Sequence, residues 1–448
     1  MTKVIKTRKG LDIRLKGSAE KVTTHVGLSG EFGLSPESFP GLSPKVTVRE
    51  GCHVKAGDAL FIDKKHPSVT FASPVSGVVT EVVRGDRRKV LVVKVKPDGQ
   101  QEHVDFGCKD VESLSGKQVI DSLLAAGLFG YINQLPYAIS ANPEALPKAI
   151  FISALRDKPL AADFEFELKG NERSFQTGLT ALSKIAKTYL GIGRGQSAES
   201  LRRAKDVDVN IFDGPCPAGN VGVQVNHIDP VNKGEVVWTV EPTAVIFFGR
   251  LFDKGIVDLR RTVAVVGSEV KRPSYVDVMV GQQLSSFLDG NVSDGNIRII
   301  NGNVLTGRKC SMSNYLDAHA SEVTVIPEGD DADEFLGWIM PRFGQYSVSH
   351  SYFSWLMKGK EYALDARVKG GERHMIMSGE YDKVLPMDIY AEYLVKAIIA
   401  GDIDKMEQLG IYEVSPEDFA LAEFVDSSKL ELQSIIRTGL DLVRKENE

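Results

Sequence analysis

At 448 residues the chain is about three times a ~150-residue domain, so it is expected to form two to four domains, each with its own core and no need of covalent staples. Charged residues are 25% and the hydrophobic set 42%, ordinary globular values that argue against wholesale disorder and against an integral membrane protein. Fifty-four Lys and Arg against sixty Asp and Glu leave a formal net charge of −6, too acidic a balance for a protein that must neutralise many phosphates, so nucleic acid is not expected as a partner.

The first sixteen residues carry Lys3, Lys6, Arg8, Lys9, Arg14 and Lys16 with no apolar stretch behind them, unlike a secretory signal. The longest apolar runs, such as 244–248, fall far short of the ~18 residues that span a bilayer. Cys52, Cys108, Cys216 and Cys310 are separated by 56, 108 and 94 residues, so no C-x-x-C pair suggests a zinc ribbon, redox dithiol or iron–sulfur motif. A cytoplasmic protein with free thiols is expected, and the sequon at Asn291 is read as chance.

From Lys45 to Lys96 short β-runs alternate with Gly and Pro: 46–48, 59–62, 68–72, 78–83 and 90–95. This spacing predicts a compact all-β module. Within it, Glu50 to Leu60 with its two Gly turns, then Ala72-Ser73-Pro74-Val75-Ser76-Gly77-Val78-Val79, resemble the barrel-sandwich fold of biotinyl and lipoyl carriers. Lys64 and Lys65 are the candidate attachment lysines, but they precede Gly77 by thirteen and twelve residues, farther than in the carriers, and His66-Pro67 follows them. A scaffold barrel without a prosthetic group is the preferred reading.

From about 111 to 258, helical stretches (116–126 and 178–189) alternate with apolar strand-like runs (149–154, 207–212 and 243–248), as in a βαβ sheet domain. Gly191-Ile192-Gly193-Arg194-Gly195 fails the G-x-G-x-x-G spacing and follows an expected helix, so it is read as a flexible turn. Phe212-Asp213-Gly214-Pro215-Cys216-Pro217-Ala218-Gly219 would sit at the carboxyl end of a strand, where open α/β sheets place ligands. It is either a ligand loop or a rigid turn at a domain boundary.

Residues 262–306 return to strands around a short helix at 282–288, the pattern of a β-grasp. Glu328 to Glu334 reads as a solvated acidic loop without the EF-hand alternation, and the chain turns helical from about Met387. Ser415-Pro416-Glu417-Asp418 is a helix-start signal, Ser428 and Glu431 stand at capping-box spacing, and Leu432, Ile436, Leu440 and Val443 fall on one stripe. The eight His residues form no metal-ligand spacing, and no G-x-S-x-G elbow occurs.

The order of these parts closely resembles the NqrA family, a subunit family of the Na⁺-translocating NADH:quinone reductase, over essentially the whole chain. The resemblance is carried by Lys9-Gly10-Leu11-Asp12, the Gly57 to Gly77 segment, Phe212-Asp213-Gly214-Pro215 with Pro217-Ala218-Gly219, and Arg261-Thr262-Val263 to Gly267. It continues through Ile300-Asn301-Gly302-Asn303-Val304-Leu305-Thr306-Gly307, Phe335-Leu336-Gly337-Trp338 and Lys383-Val384-Leu385-Pro386-Met387-Asp388. It implies a multidomain α/β and α+β chain: a barrel-sandwich domain with the N-terminal segment over 1–108, a Rossmann-like domain over 109–258, a β-grasp domain over 259–327 and a C-terminal domain over 328–448.

Relatives of this family include the flavin-binding subunit of complex I, whose Gly-rich loop lets a flavin phosphate approach its backbone. Here the corresponding stretch, Ala126 to Tyr137, has lost most of those glycines to bulky residues, and the acidic A-E-C-E-P segment appears as Ala154-Leu155-Arg156-Asp157-Lys158-Pro159. The resemblance thus implies no tightly bound cofactor on this chain, with NADH, FAD, FMN and a [2Fe-2S] centre on other subunits. It implies a peripheral location on the cytoplasmic face of the cell membrane, in a six-subunit complex whose membrane subunits include FMN carriers. A stand-alone β-grasp binding or export module and a prosthetic-group carrier are the alternatives. Two loops, 38–42 and 128–131 with 135–137, are candidates for quinone contact through Phe39, Leu42, Phe129, Tyr131 and Tyr137, since aromatic side chains among Gly and Pro could supply ring surface and hydroxyls. The alternative is that these aromatics pin the loops to their own domain.

Overall fold

The computed structural model describes residues 3–329, 342–357 and 359–447. The expected acidic loop lies outside the described residues from Asp330 onward, as does the Phe335 to Trp338 motif.

Alternating apolar residues place the central sheet between two cores. In Ala149–Ser153, Ile150 and Ile152 face the helices Gly116–Ala125, Glu172–Ser183 and Pro242–Lys254, whereas Ala149 and Phe151 join Val225 and Val237 on the other face. Five strands run parallel in the order Lys3–Lys6, Asp208–Asp213, Lys187–Gly193, Ala149–Ser153 and Val237–Val240. Ile132–Leu135 and Ile139–Ser140 extend the sheet as an antiparallel edge.

Two expectations are corrected here. The apolar run 243–248 is not a strand but part of the helix Pro242–Lys254, in which eleven of thirteen residues are buried, and the strand is the preceding Val237–Val240. A helix buried all round has no polar face, so periodicity could not distinguish it from a strand. The expected helix to Tyr189 stops at Ser183, and Lys187–Gly193 is a strand, so the Gly191–Gly195 segment follows a strand. Its glycines conceal the strand signal, and Gly191 packs closely on a side chain: a Cβ there would lie 1.9 Å from Gln224 Oε1, which would have to move.

The helices Glu172–Ser183 and Pro242–Lys254 cross in backbone contact. A Cβ on Gly178 would lie 2.1 Å from the Val245 carbonyl oxygen, and one on Gly249 1.6 Å from that of Ser174. This crossing fixes where the first turn of Pro242–Lys254 meets the sheet.

The β-module forms a four-stranded and a three-stranded sheet, the first ordered Phe32–Leu34, Val90–Pro97, Gly77–Arg84 and His53–Val54 and the second Pro44–Val46, Ala59–Asp63 and Thr70–Ala72. Leu60, Phe61, Phe71, Val79 and Val93 are buried in its core. Lys64 and Lys65 are exposed on the connection after Ala59–Asp63. The N-terminal segment serves other sheets: Lys3–Lys6 pairs with Asp208–Asp213, and Glu20–His25 with Ser274–Met279.

A six-stranded mixed sheet follows in the order Arg308–Cys310, Ile297–Asn301, Glu322–Pro327, Arg260–Val266, Ser274–Met279 and Glu20–His25, with the short helix Ser285–Leu288 against it. The C-terminal part contains the helices Tyr381–Val384, Ala391–Ala400, Ile403–Gln408, Ala420–Val425 and Leu432–Asn447. Leu432, Ile436, Leu440 and Val443 are fully buried, in agreement with their stripe. Ser415 and Asp418 form a capping box ahead of Ala420–Val425. Ser428 does not cap the last helix; its hydroxyl accepts from the Ile376 amide at 3.1 Å, while Glu423 Oε2 accepts from the Gln433 amide at 2.8 Å. A partner distant in sequence has displaced the local one. No helix among the described residues is long and apolar enough to cross a membrane.

Candidate functional site

The carboxyl ends of the parallel strands open into a crevice of about 570 Å³. Its walls come from widely separated stretches of the chain: Ser38 and Pro40, the sheet edge from Leu135 to Glu241, the strand loops 301–308 and 317–322, and Glu417 and Arg437. Open α/β sheets place ligands at this edge because loops diverge there and helix N-termini point toward it.

Ala149–Ser153 delivers Arg156, Asp157 and Lys158 to the crevice. The Arg156 guanidinium donates to Glu167 Oε2 at 2.7 Å and to the Thr243 hydroxyl at 2.8 Å, and that hydroxyl donates to Glu167 Oε1 at 2.8 Å. Burial opposes the Arg156 charge, yet the nearby Glu167 and Glu322 hold it firmly protonated. Asp157 accepts from the Gly219 amide at 2.7 Å, and burial pushes its carboxyl up to about 6. Lys158 forms an ion pair with Glu417.

The Phe212 to Gly219 loop stands at the carboxyl end of Asp208–Asp213 as expected. It is a docking loop as well as a crevice wall. The Cys216 amide donates to Asp12 Oδ1 at 3.0 Å, the Leu11 amide to the Cys216 carbonyl at 2.8 Å, and Gly219 lines the crevice. Directly after it, the Asn220 amide group donates to Asp418 Oδ1 at 3.3 Å. Burial pushes Asp418 up to about 6 despite the Ser415 amide and hydroxyl that donate to it.

Val237–Val240 delivers Glu241, whose Oε1 lies 3.5 Å from Nδ1 of His319. Burial disfavours the imidazolium, but Glu241 beside it outweighs burial and raises the His319 pKa. The Nε2 atom of His319 and Oδ1 of Asn133, both on crevice-lining residues, are buried without a hydrogen-bond partner among the described residues. Arg437 closes the wall by donating to the Ala138 carbonyl at 3.2 Å and to Asp441 at 2.9 Å.

The two aromatic loops meet beside this crevice. The Ser140 amide donates to the Pro40 carbonyl at 2.8 Å, and the Phe39 and Tyr131 ring centroids are 5.4 Å apart. Phe39 also contacts Phe71 at 4.4 Å and His319 at 5.5 Å. Phe39, Phe129 and Tyr131 are buried, with Phe129 packed edge-on against Trp238. Leu42 and Tyr137 are half-buried, and the Tyr137 ring faces Tyr412 at 6.3 Å. From these stretches and the residues beside them the crevice receives Glu37, Ser38, Pro40, Asn133, Leu135 and Ala138 rather than the aromatic side chains themselves.

In the loop matched to the flavin-binding stretch, a Cβ on Gly127 would lie 2.7 Å from the Ala72 amide nitrogen, and one on Gly130 2.2 Å from the Phe71 ring. These glycines now admit the β-module. The Gly193 amide of the Gly191–Gly195 turn donates to Gln196 Oε1 at 2.7 Å, so the turn is closed on its own chain.

Three family models cover most of this architecture. The NqrA N-terminal barrel-sandwich hybrid domain matches residues 5–98, the NqrA second alpha/beta domain 114–257, and the NQRA C-terminal domain 262–312. The chain is 36% identical to the NqrA protein of the Na(+)-translocating NADH-quinone reductase of Pasteurella multocida, over 99% of this chain and 100% of that protein. It belongs to the NqrA family. The Yersinia pestis (strain Angola) member is 35% identical and the Haemophilus influenzae (strain PittGG) member 34%, with the same coverage. Among solved structures, the air-oxidized NAD+-reducing [NiFe]-hydrogenase is similar over 48% of this chain and 50% of that chain, at TM-score 0.34 and 13% identity.

In this NqrA family member, Glu241, His319 and Arg437 are crevice residues that the sequence reading missed. Glu241-Pro242 had a usable signal, a β-rich run followed by a first-position helix Pro. His319 and Arg437 had none, since they reach the crevice only when separate parts of the chain pack together.

Proposed function

We propose that the chain is the peripheral NqrA component of a Na⁺-translocating NADH-quinone reductase, which oxidises NADH with quinone and exports Na⁺. The observation that carries this reading is full-length identity of about a third to NqrA proteins. The export-module and prosthetic-group-carrier alternatives are not favoured, because each accounts for one domain and the relatives match end to end.

In this reading the chain sits on the cytoplasmic face of the membrane within a six-subunit complex that includes FMN-carrying membrane subunits. NADH, FAD, FMN and the [2Fe-2S] centre belong to those other subunits, and this chain holds no tightly bound cofactor. It is divided into a barrel-sandwich unit at 1–108, a Rossmann-like unit at 109–258, a β-grasp unit at 259–327 and a helical C-terminal unit at 328–448. An unmodified intact mass and no stoichiometric visible absorption are expected of the purified chain. A biotin or lipoate increment on Lys64 or Lys65, or bound flavin, would overturn that part.

In this reading quinone binds beside the crevice, where loop 38–42 meets 128–131 and 135–137. What supports this is the contact between the two loops and the mixed apolar and polar wall they share, the chemistry that a flat ring with two carbonyls requires. Leu42 and Tyr137 offer surface there, while Phe39, Phe129 and Tyr131 hold the wall rigid. Phe39→Ala and Tyr137→Ala complexes should assemble, keep NADH oxidation by an artificial acceptor, and show a raised KM for quinone. Unchanged quinone kinetics in both would remove these loops from the quinone path. For the broader reading, deletion of the gene should abolish Na⁺-dependent NADH-quinone reduction in membranes of its host, and re-expression should restore it.

A further inference from the structure

One edge of the central sheet carries an unbalanced charge. Lys3–Lys6 is its outermost strand, paired on one side, with Lys3 opposite Asn210 and Lys6 opposite Asp213. The chain then continues along the surface, where the Thr7 amide donates to the Asp213 carbonyl at 3.0 Å and the Gly10 amide to the Lys383 carbonyl at 3.0 Å. Ile5 and Thr7 are buried, whereas Lys3, Lys6, Arg8 and Lys9 are exposed. Alternation along an extended segment turns Ile5 and Thr7 inward and Lys6 and Arg8 outward. Arg202 joins them from a neighbouring connection. It lines the same recess as Lys3, and its exposed guanidinium donates to main-chain carbonyls, that of Gln196 at 2.7 Å and that of Arg194 at 2.9 Å.

The surrounding charges are mostly matched with one another. Lys187 pairs with Asp208 at 3.2 Å, Arg194 with Asp213 at 2.6 Å, Arg203 with Glu199 at 2.5 Å and Lys383 with Glu380 at 2.6 Å. Exposed Lys205 and Asp206 stand side by side. Two carboxylates remain: Asp12, whose Oδ1 accepts from the Cys216 amide, and the exposed Asp382. Against these two stand five cations without an ion pair among the described residues, Lys3, Lys6, Arg8, Lys9 and Arg202. The local balance is therefore positive on a chain whose net charge is −6. Lysines on an edge strand discourage pairing with a further strand, yet Arg8, Lys9 and Arg202 lie outside the strand and need another reason.

The make-up of the patch indicates its partner. Across 3–9 and 194–206, Val4 is the only large apolar side chain exposed among the described residues, and no aromatic accompanies it. Protein interfaces are depleted of Lys and draw their affinity from buried aromatic and apolar anchors. An anionic bilayer surface needs no such anchor, because its negative potential attracts unpaired cations directly, by about fivefold in affinity for each Lys or Arg near it.

We propose that Lys3, Lys6, Arg8, Lys9 and Arg202 form a surface that faces anionic lipid headgroups. The contact is electrostatic and weak by itself, and it orients a chain that other subunits hold at the membrane. For the nearness of that membrane it rests on the NqrA reading above.

The test begins with the purified full chain and vesicles, with no other subunit present. Cosedimentation at low salt should show binding to vesicles of phosphatidylglycerol and phosphatidylcholine in equal parts, none to phosphatidylcholine alone, and release at about 0.5 M salt. The K3Q/K6Q/R8Q/K9Q variant should bind more weakly by roughly tenfold or more while keeping the thermal midpoint of the parent, since these side chains have no partners to lose. If that variant unfolds, K6Q/R8Q takes its place and should show an intermediate loss. K45Q/K96Q/K117Q/K396Q, which removes the same charge from exposed lysines elsewhere, should lose far less. In membranes that contain the whole complex, p-benzoylphenylalanine in place of Arg8 should crosslink to lipid on irradiation. Equal binding to both kinds of vesicle, no binding to either, an equal loss in the control variant, or a crosslink to protein without one to lipid would each overturn the proposal. A chain that binds anionic vesicles but does not co-purify with the reductase would overturn the NqrA reading instead, so the two failures are distinguishable.

Discussion

The crossing of Glu172–Ser183 with Pro242–Lys254 makes a sharp demand on Gly249. An Ala there places its Cβ 1.6 Å from the Ser174 carbonyl oxygen, a backbone atom that cannot turn aside, so one helix must retreat by more than an ångström. Replacing Gly by Ala within a helix favours the helix by ~1 kcal/mol, but overpacking against backbone costs ~1–3 kcal/mol or more, and the clash wins. A net loss of ~2 kcal/mol lowers the thermal midpoint of an α/β unit of this size by roughly 4–8 °C. Thermal unfolding of purified G249A, followed by circular dichroism, measures it. Gly178→Ala should behave alike, since its Cβ would lie 2.1 Å from the Val245 carbonyl oxygen, and the pair should cost less than the sum because one opening relieves both. Gly195→Ala, with nothing within 4 Å, should leave stability unchanged. A G249A chain as stable as the parent would refute the close crossing and, with it, the placement of Glu241 at the crevice.

Arg156→Met should destabilise the α/β unit by ~3–5 kcal/mol, because it leaves the buried Glu167 carboxylate without its guanidinium; adding Glu167→Gln should recover much of that loss, as denaturant midpoints will show. Asp157 and Asp418 have folded-state pKa values raised by burial to about 6, so each contributes stability that is present below pH ~4 and is lost as pH rises through about 6. The cost reaches ~3 kcal/mol per carboxyl at neutral pH, and Asp418→Asn should flatten the fall in thermal midpoint between pH 4 and 7 relative to the parent. Parallel pH profiles for variant and parent would show that Asp418 does not carry that charge cost.

The readable parts of the fold were those in which local pattern and tertiary role agree. Val90–Pro97 and Ala149–Ser153 announce themselves by β-rich runs, and Leu432–Asn447 by the stripe of Leu432, Ile436, Leu440 and Val443. The helix Pro242–Lys254 failed this test because it is buried all round, and Lys187–Gly193 because Gly191 and Gly193 trade strand propensity for closeness to neighbouring side chains. At the candidate site, loop 38–42 and the 128–131 and 135–137 stretches were singled out together, and Phe39 and Tyr131 do touch. Their aromatic side chains nevertheless pack mainly inward, a direction that no one-dimensional pattern records. The polar wall of Glu241, His319 and Arg437 is assembled from residues up to 196 positions apart, so only the packing of separate units brings it into view.

Assembly is the most direct measurement of the central claim. The reductase should be solubilised from host membranes and purified through a tag on a different component, and this chain then quantified in the product by mass spectrometry. The account predicts a stoichiometric amount of the chain, together with Na⁺-dependent NADH-quinone reduction in the same fraction. A complete, active complex that lacks the chain would contradict it.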